Sequence, residues 1–168
     1  MGHNLMDLLK TQKAAIAAAW VEKILCSYPE EGANFFRNQK NQFSNPIGHT
    51  ISKNVPDIFE EMIGQNDRLR LRDLLKDVIK IRAVQEFPPS LAIRFVFSLK
   101  EAIREVLEPG IFENLSSGEL QQVDALIDET ALIAFDLYME CREKIFKLRL
   151  NEAKLRSGEA LLMQNENS

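Results

Sequence analysis

Few residues in this 168-residue chain carry reactive chemistry, and their spacing assigns them none. Histidine is the usual axial ligand of haem and a common ligand of zinc. Here there are only His3 and His49, with none from residue 50 onward. A late proximal haem histidine is therefore missing, which leaves Cys141 and Met139 as alternative iron ligands; plain core packing is the simpler role for both. The Glu-x-x-His pairs of a carboxylate di-iron bundle do not occur. Cys26 and Cys141 stand singly, without ligand spacing. Each falls in an apolar helical stretch, which reads as a buried free thiol, with a redox switch as the sharper alternative. There is no Gly-rich phosphate loop and no Gly-x-Ser-x-Gly elbow. Asp124 and Asp128 share a helix face, a pattern that belongs to solvated surfaces. His49 stands where a helix begins and is read as a local capping or packing residue, with pH sensing as the alternative. The residues thus predict no catalytic, cofactor-binding or metal site, and a protein that is not an enzyme.

Composition narrows the classes further. The chain is 45% hydrophobic and 27% charged with a net charge of −4, which describes one globular domain. The basic run from Arg68 to Arg72 is interleaved with Asp67, Asp73 and Asp77. Together with the acidic total, that argues against nucleic acid as a partner, because phosphate contacts need a positive footprint. Lys10 and Lys13 interrupt the amino terminus, so it does not read as a signal peptide. No run approaches the roughly 18 apolar residues of a membrane span. The expectation is a cytoplasmic protein with no membrane partner.

Punctuation and periodicity predict about six helices. The first runs from Asn4 to about Ser27 and ends at Tyr28-Pro29, and a short second runs from Glu30 to Gln39 with Phe35 and Phe36 as anchors. Asn45 as N-cap and Pro46 at the first helical position start a third. It carries Ile47, Ile51, Val55, Ile58, Phe59 and Met62 to Gly64, with a kink or break expected at Pro56. The fourth spans Asp67 to about Glu86, and the fifth follows Pro88-Pro89 and ends at Pro109-Gly110. A capping box, Ser116 to Glu119, opens the last. From Glu119 to Ser157 there is neither Gly nor Pro, and Leu120, Ile127, Ala134, Cys141, Leu148 and Leu155 recur at every seventh position. A helix of about 38 residues is roughly 57 Å long, against a diameter of roughly 40 Å for a compact domain of this size. About ten residues should protrude. Cys141, Ile145, Leu148 and Leu155 are accordingly the candidates for dimerisation or relay. Residues 1–157 read as a single helical domain and 158–168 as a flexible tail.

Three segments resemble the RsbRD-type amino-terminal domain of the RsbT co-antagonist family of bacterial signalling proteins. They are Trp20 with Ile24 and Tyr28-Pro29, then Phe43 to Ile51, then Arg82 to Phe87 continuing through Pro88-Pro89 to Lys100. Asn45, Pro46, Gly48 and His49, with Val84, Gln85 and Phe87, carry the most specific part. The resemblance implies an all-α, globin-like bundle without haem, a homodimer, and a long last helix that joins such a domain to a phosphorylatable STAS module in stress signalling. With no such module in the 168 residues, the expectation is a free-standing sensor-type domain or an excised one, acting through dimerisation and a signalling protein partner. A second expectation is a carrier or receptor for a small apolar ligand, motivated by the ten Phe.

Overall fold

Side chains that close helix ends set most of the boundaries. The structure is a computed structural model that describes residues 4–28, 30–38, 41, 43–108, 110–111 and 114–166. Among these residues every regular element is helical, as the sequence predicts. His3, Pro29, Gln39 and Pro109 lie outside the described residues.

The Asn4 side chain accepts from the Met6 amide and starts α1 (Leu5–Thr11); α2 (Lys13–Cys26) follows. The sequence predicts one helix here, but it divides at Gln12. Thr11 Oγ1 donates to the Asp7 carbonyl at 2.8 Å, a back-bond that competes with the helix ladder. After α3 (Glu30–Asn38) comes α4 (Pro46–Ile63), which, of the kink or break expected at Pro56, shows no break. Pro56 deprives the Ser52 carbonyl of its donor, and Ser52 is exposed, so water can replace the lost bond. Asp67 accepts from the Leu69 and Arg70 amides to start α5 (Arg68–Val84).

The predicted fifth helix is also two, α6 (Pro89–Phe97) and α7 (Leu99–Val106). The Phe95 carbonyl near the division accepts from Trp20 Nε1 at 2.7 Å and from Ser98 Oγ at 2.7 Å. Two side chains thus occupy an acceptor that a continuous helix would use internally. The last helix, α8 (Ser117–Glu166), has 50 residues and continues past Gly158, so it is longer than predicted. At 1.5 Å per residue it is about 75 Å long.

The core is one cluster in which α2 packs on α4 and α7, while α8 lies along α5 and α6. Trp20 is fully buried at its centre, stacked on Phe95 with ring centroids 6.2 Å apart and edge-on to Phe59 at 6.5 Å. Of the two anchors expected in α3, Phe36 packs edge-on to Tyr28 at 5.1 Å, whereas Phe35 is half-exposed. Cys26 is exposed rather than buried, with Sγ 3.5 Å from Glu22 Oε1, because it falls on the solvent side of α2. Cys141 is half-buried.

Candidate functional site

The two most specific sequence segments meet in space. Asn45 is buried at the head of α4, where its Oδ1 accepts from the Gly48 amide at 2.8 Å and its Nδ2 donates to the Phe36 carbonyl at 2.8 Å. One amide therefore opens α4 and satisfies the last turn of α3. A Cβ on Gly48 would lie 2.3 Å from Asn45 Nδ2, which is why glycine stands three residues after this cap. Pro46 and Ile47 share a groove of about 390 Å³ with Val84 and Gln85 from the end of α5. His49 is half-buried on the first turn of α4, its amide donating to the Asn45 carbonyl.

Phe87 belongs to the turn that ends α5, and it packs on Arg82, a residue of the third resemblance segment to which the sequence pattern assigns no role. Arg82 is 1% exposed. Its guanidinium lies 5.4, 5.2 and 5.0 Å from the ring centroids of Tyr28, Phe87 and Phe95. Nη1 donates to the Leu91 carbonyl at 3.2 Å and Nη2 to Ser27 Oγ at 3.3 Å, while Nε has no partner among the described residues. Burial pushes the Arg82 guanidinium below its usual range, and burial raises the Tyr28 phenol against the opposing pull of Arg82. The available signal was positional. Leu75, Val78, Ile79 and Arg82 succeed one another at spacings of three, one and three, so Arg82 lies on the inward stripe of α5.

The same turn is fastened to α8. Tyr138 Oη donates to the Phe87 carbonyl, Arg142 Nη1 to the Ala83 carbonyl at 3.2 Å, and Arg149 pairs with Glu86. Glu86 itself has φ +60°, a left-handed conformation that costs a non-glycine residue about 1 kcal/mol. The junction of α5 and α6 is thus held against the long helix by three of its side chains.

The candidate dimer residues divide between two situations. Cys141 and Ile145 pack against the body, while Leu148 and Leu155 are exposed. From Phe146 to Gly158 every residue is exposed, and past Arg149, whose side chain still pairs with Glu86, α8 runs on to Glu166. A second apolar stripe, not anticipated, runs along the opposite side of α8: Leu132, Phe135, Met139, Phe146 and Leu150, all large and exposed. Their spacings of three, four, seven and four place them on one face. Charge along α8 is also segregated. From Glu119 to Glu140 there are six carboxylates and no Lys or Arg, whereas from Cys141 to Gly158 there are six Lys or Arg and two carboxylates.

Among the described residues no three His, Cys, Asp or Glu side chains cluster as metal ligands, and Asp124 is engaged by Lys100 at 2.8 Å. No helix among them is long and apolar enough to cross a membrane. The site is that of a helical domain in which a buried cation is joined to a long last helix. Residues 14–153 match the family model of the RsbT co-antagonist protein rsbRD N-terminal domain, and the chain belongs to that family of stress-signalling regulators. It is 27% identical over 134 residues to an uncharacterized protein of Archaeoglobus fulgidus, covering 79% of each chain. It is 28% identical over 166 residues to the RNA polymerase-associated protein RapA of Vibrio campbellii, covering 89% of this chain and 16% of that one. No solved structure matches.

Proposed function

We propose that this chain is a non-enzymatic cytoplasmic signalling domain that works by pairing its α8 with the α8 of a second copy, in antiparallel orientation. The observation that carries this reading is the outer face of α8. It presents five large apolar side chains in a stripe about 27 Å long, from Leu132 to Leu150. Isolated exposed apolar residues are ordinary, but a row of this length on one helix face, interrupted only at Arg142 and Glu143, favours burial against a partner. The charge segregation selects the partner and its direction. An antiparallel second copy lays the acidic first half of α8 along the basic second half of its twin, whereas a parallel copy opposes like charges. Such a pair is isologous and closes on itself. Leu148 and Leu155, on the other side of α8, then remain for a signalling protein partner.

The bonds from Tyr138, Arg142 and Arg149 to the α5–α6 junction supply the route by which the body biases α8. Sedimentation equilibrium tests the reading. Wild type is expected as a dimer, and Phe146→Glu, which changes an exposed residue, as a monomer with unchanged helix content. A monomeric wild type across the accessible concentration range would sink the proposal. So would a Phe146→Glu protein that still dimerises as tightly.

A further inference from the structure

A cleft of about 520 Å³ opens beside α2 and α6, and Arg82 and Phe95 form part of its lining. That size is within the usual range of small-molecule sites, about 300–1,000 Å³. The charge arrangement around it is unusual for a buried cation. Arg68, Arg70, Arg72 and Arg149, all on the surface, each face a carboxylate. Arg82, almost wholly buried, faces none among the described residues. It has a carbonyl and a hydroxyl at more than 3.1 Å, three aromatic faces and one idle donor. Ring faces compensate a cation only partly, and a buried charge ordinarily has a counterion. Arg94, exposed on the same lining, also has no ion-pair partner among the described residues. The carboxylates that do line the cleft are otherwise engaged: Glu105 and Glu101 lie 2.7 and 4.0 Å from Lys23 Nζ, and Glu22 contacts Cys26.

We propose that this cleft binds a small organic carboxylate, its headgroup held by Arg82 and Arg94 and its apolar body lying against Ile24, Leu91 and Phe95. A guanidinium fork suits a carboxylate better than a point charge does, because it offers paired parallel donors. The weak, long bond from Nη2 to Ser27 Oγ is the one such a headgroup would displace. The apolar lining favours an organic ion over an inorganic one, since chloride or phosphate would leave those side chains without a counterpart. The site does not depend on the α8 pairing proposed above, so either can fail alone.

The test uses the full chain with nitrogen-15 arginine and observes the Nε–Hε resonances by NMR during titration with sodium octanoate, with 1-octanol and sodium chloride as parallel probes. The Arg82 signal, identified by its loss in Arg82→Lys, is expected to shift saturably with octanoate alone. Arg94→Gln, at an exposed position, is expected to weaken octanoate binding about three- to tenfold, and Arg82→Lys by about tenfold or more, as loss of charged hydrogen bonds does. An Arg82 resonance unmoved by octanoate would overturn the proposal, and so would equal responses to octanol or to chloride. Should Arg82→Lys fail to fold, Arg94→Gln still decides: unchanged octanoate affinity in that variant removes the two-arginine headgroup site.

Discussion

At the scale of single residues, Asn45 and Gly48 form one device. The Asn45 side chain is enclosed and bonded at both ends, so it cannot swing away from a new methyl group at position 48. Asn45→Ala is expected to cost about 1–3 kcal/mol, because it removes a cap and strands the Phe36 carbonyl. Gly48→Ala should cost a similar amount by evicting the same side chain. In the Asn45→Ala background, however, Gly48→Ala should become neutral or stabilising, since alanine is the better helix former by about 1 kcal/mol. Urea midpoints of the two single variants and the double variant check this; simple additivity would refute the coupling. Asn45 was readable from sequence because capping is a local code. Arg82 was not, because a basic residue on a helix is ordinarily solvated, and its burial depends on Tyr28, Phe87 and Phe95 arriving from other elements.

At the scale of elements, Glu119 joins the start of the first helix to the start of the last. Its Oε2 accepts from the Ser116 amide and hydroxyl at 2.9 and 2.7 Å, which is the capping box read from sequence. Its Oε1 accepts from the Leu5 amide at 3.0 Å, a bond across 114 residues that sequence does not disclose. These donors, the Leu5 amide first, hold the Glu119 carboxyl below its ordinary value of 4.5. Its contribution to stability is therefore complete above that pH and is lost as pH falls through the lower value of the folded state. The urea midpoint of wild type should fall with acidification below about pH 4.5 more steeply than that of Glu119→Gln, and parallel curves would contradict the assignment. The divisions at Gln12 and Ser98 were illegible for a related reason. Periodicity continues through both, and at Ser98 the competing bond comes from Trp20, 75 residues from Phe95 in sequence. A glycine reads as a helix stop, but α8 runs on past Gly158, where an added Cβ would meet open space among the described residues.

At the scale of the whole molecule, the inward heptad of α8 was visible in sequence, while the outward stripe was hidden by it. Between Ala125 and Met139 apolar residues cover nearly every face, so only the structure separates those that meet α5 and α6 from Leu132, Phe135 and Met139, which meet solvent. An antiparallel pair centred near Cys141 would set Leu132 against Leu150 of the partner subunit, Phe135 near the partner's Phe146, and Asp128 near the partner's Lys154. The segregation of charge then makes a prediction that apolar contact alone does not. Salt shortens the Debye length from about 10 Å at 0.1 M to about 3 Å at 1 M, and so screens whichever charges flank the seam. If opposite halves are apposed, the dimer dissociation constant should rise severalfold over that range. If the copies were parallel, like halves would be apposed and salt would tighten the dimer. Sedimentation equilibrium at low and high sodium chloride distinguishes the two by the sign of the change. A charge-swapped chain, with Asp128→Lys and Lys154→Asp made together, should retain the antiparallel response, because each exchanged residue still meets its opposite in the partner, whereas either change alone should weaken the pair.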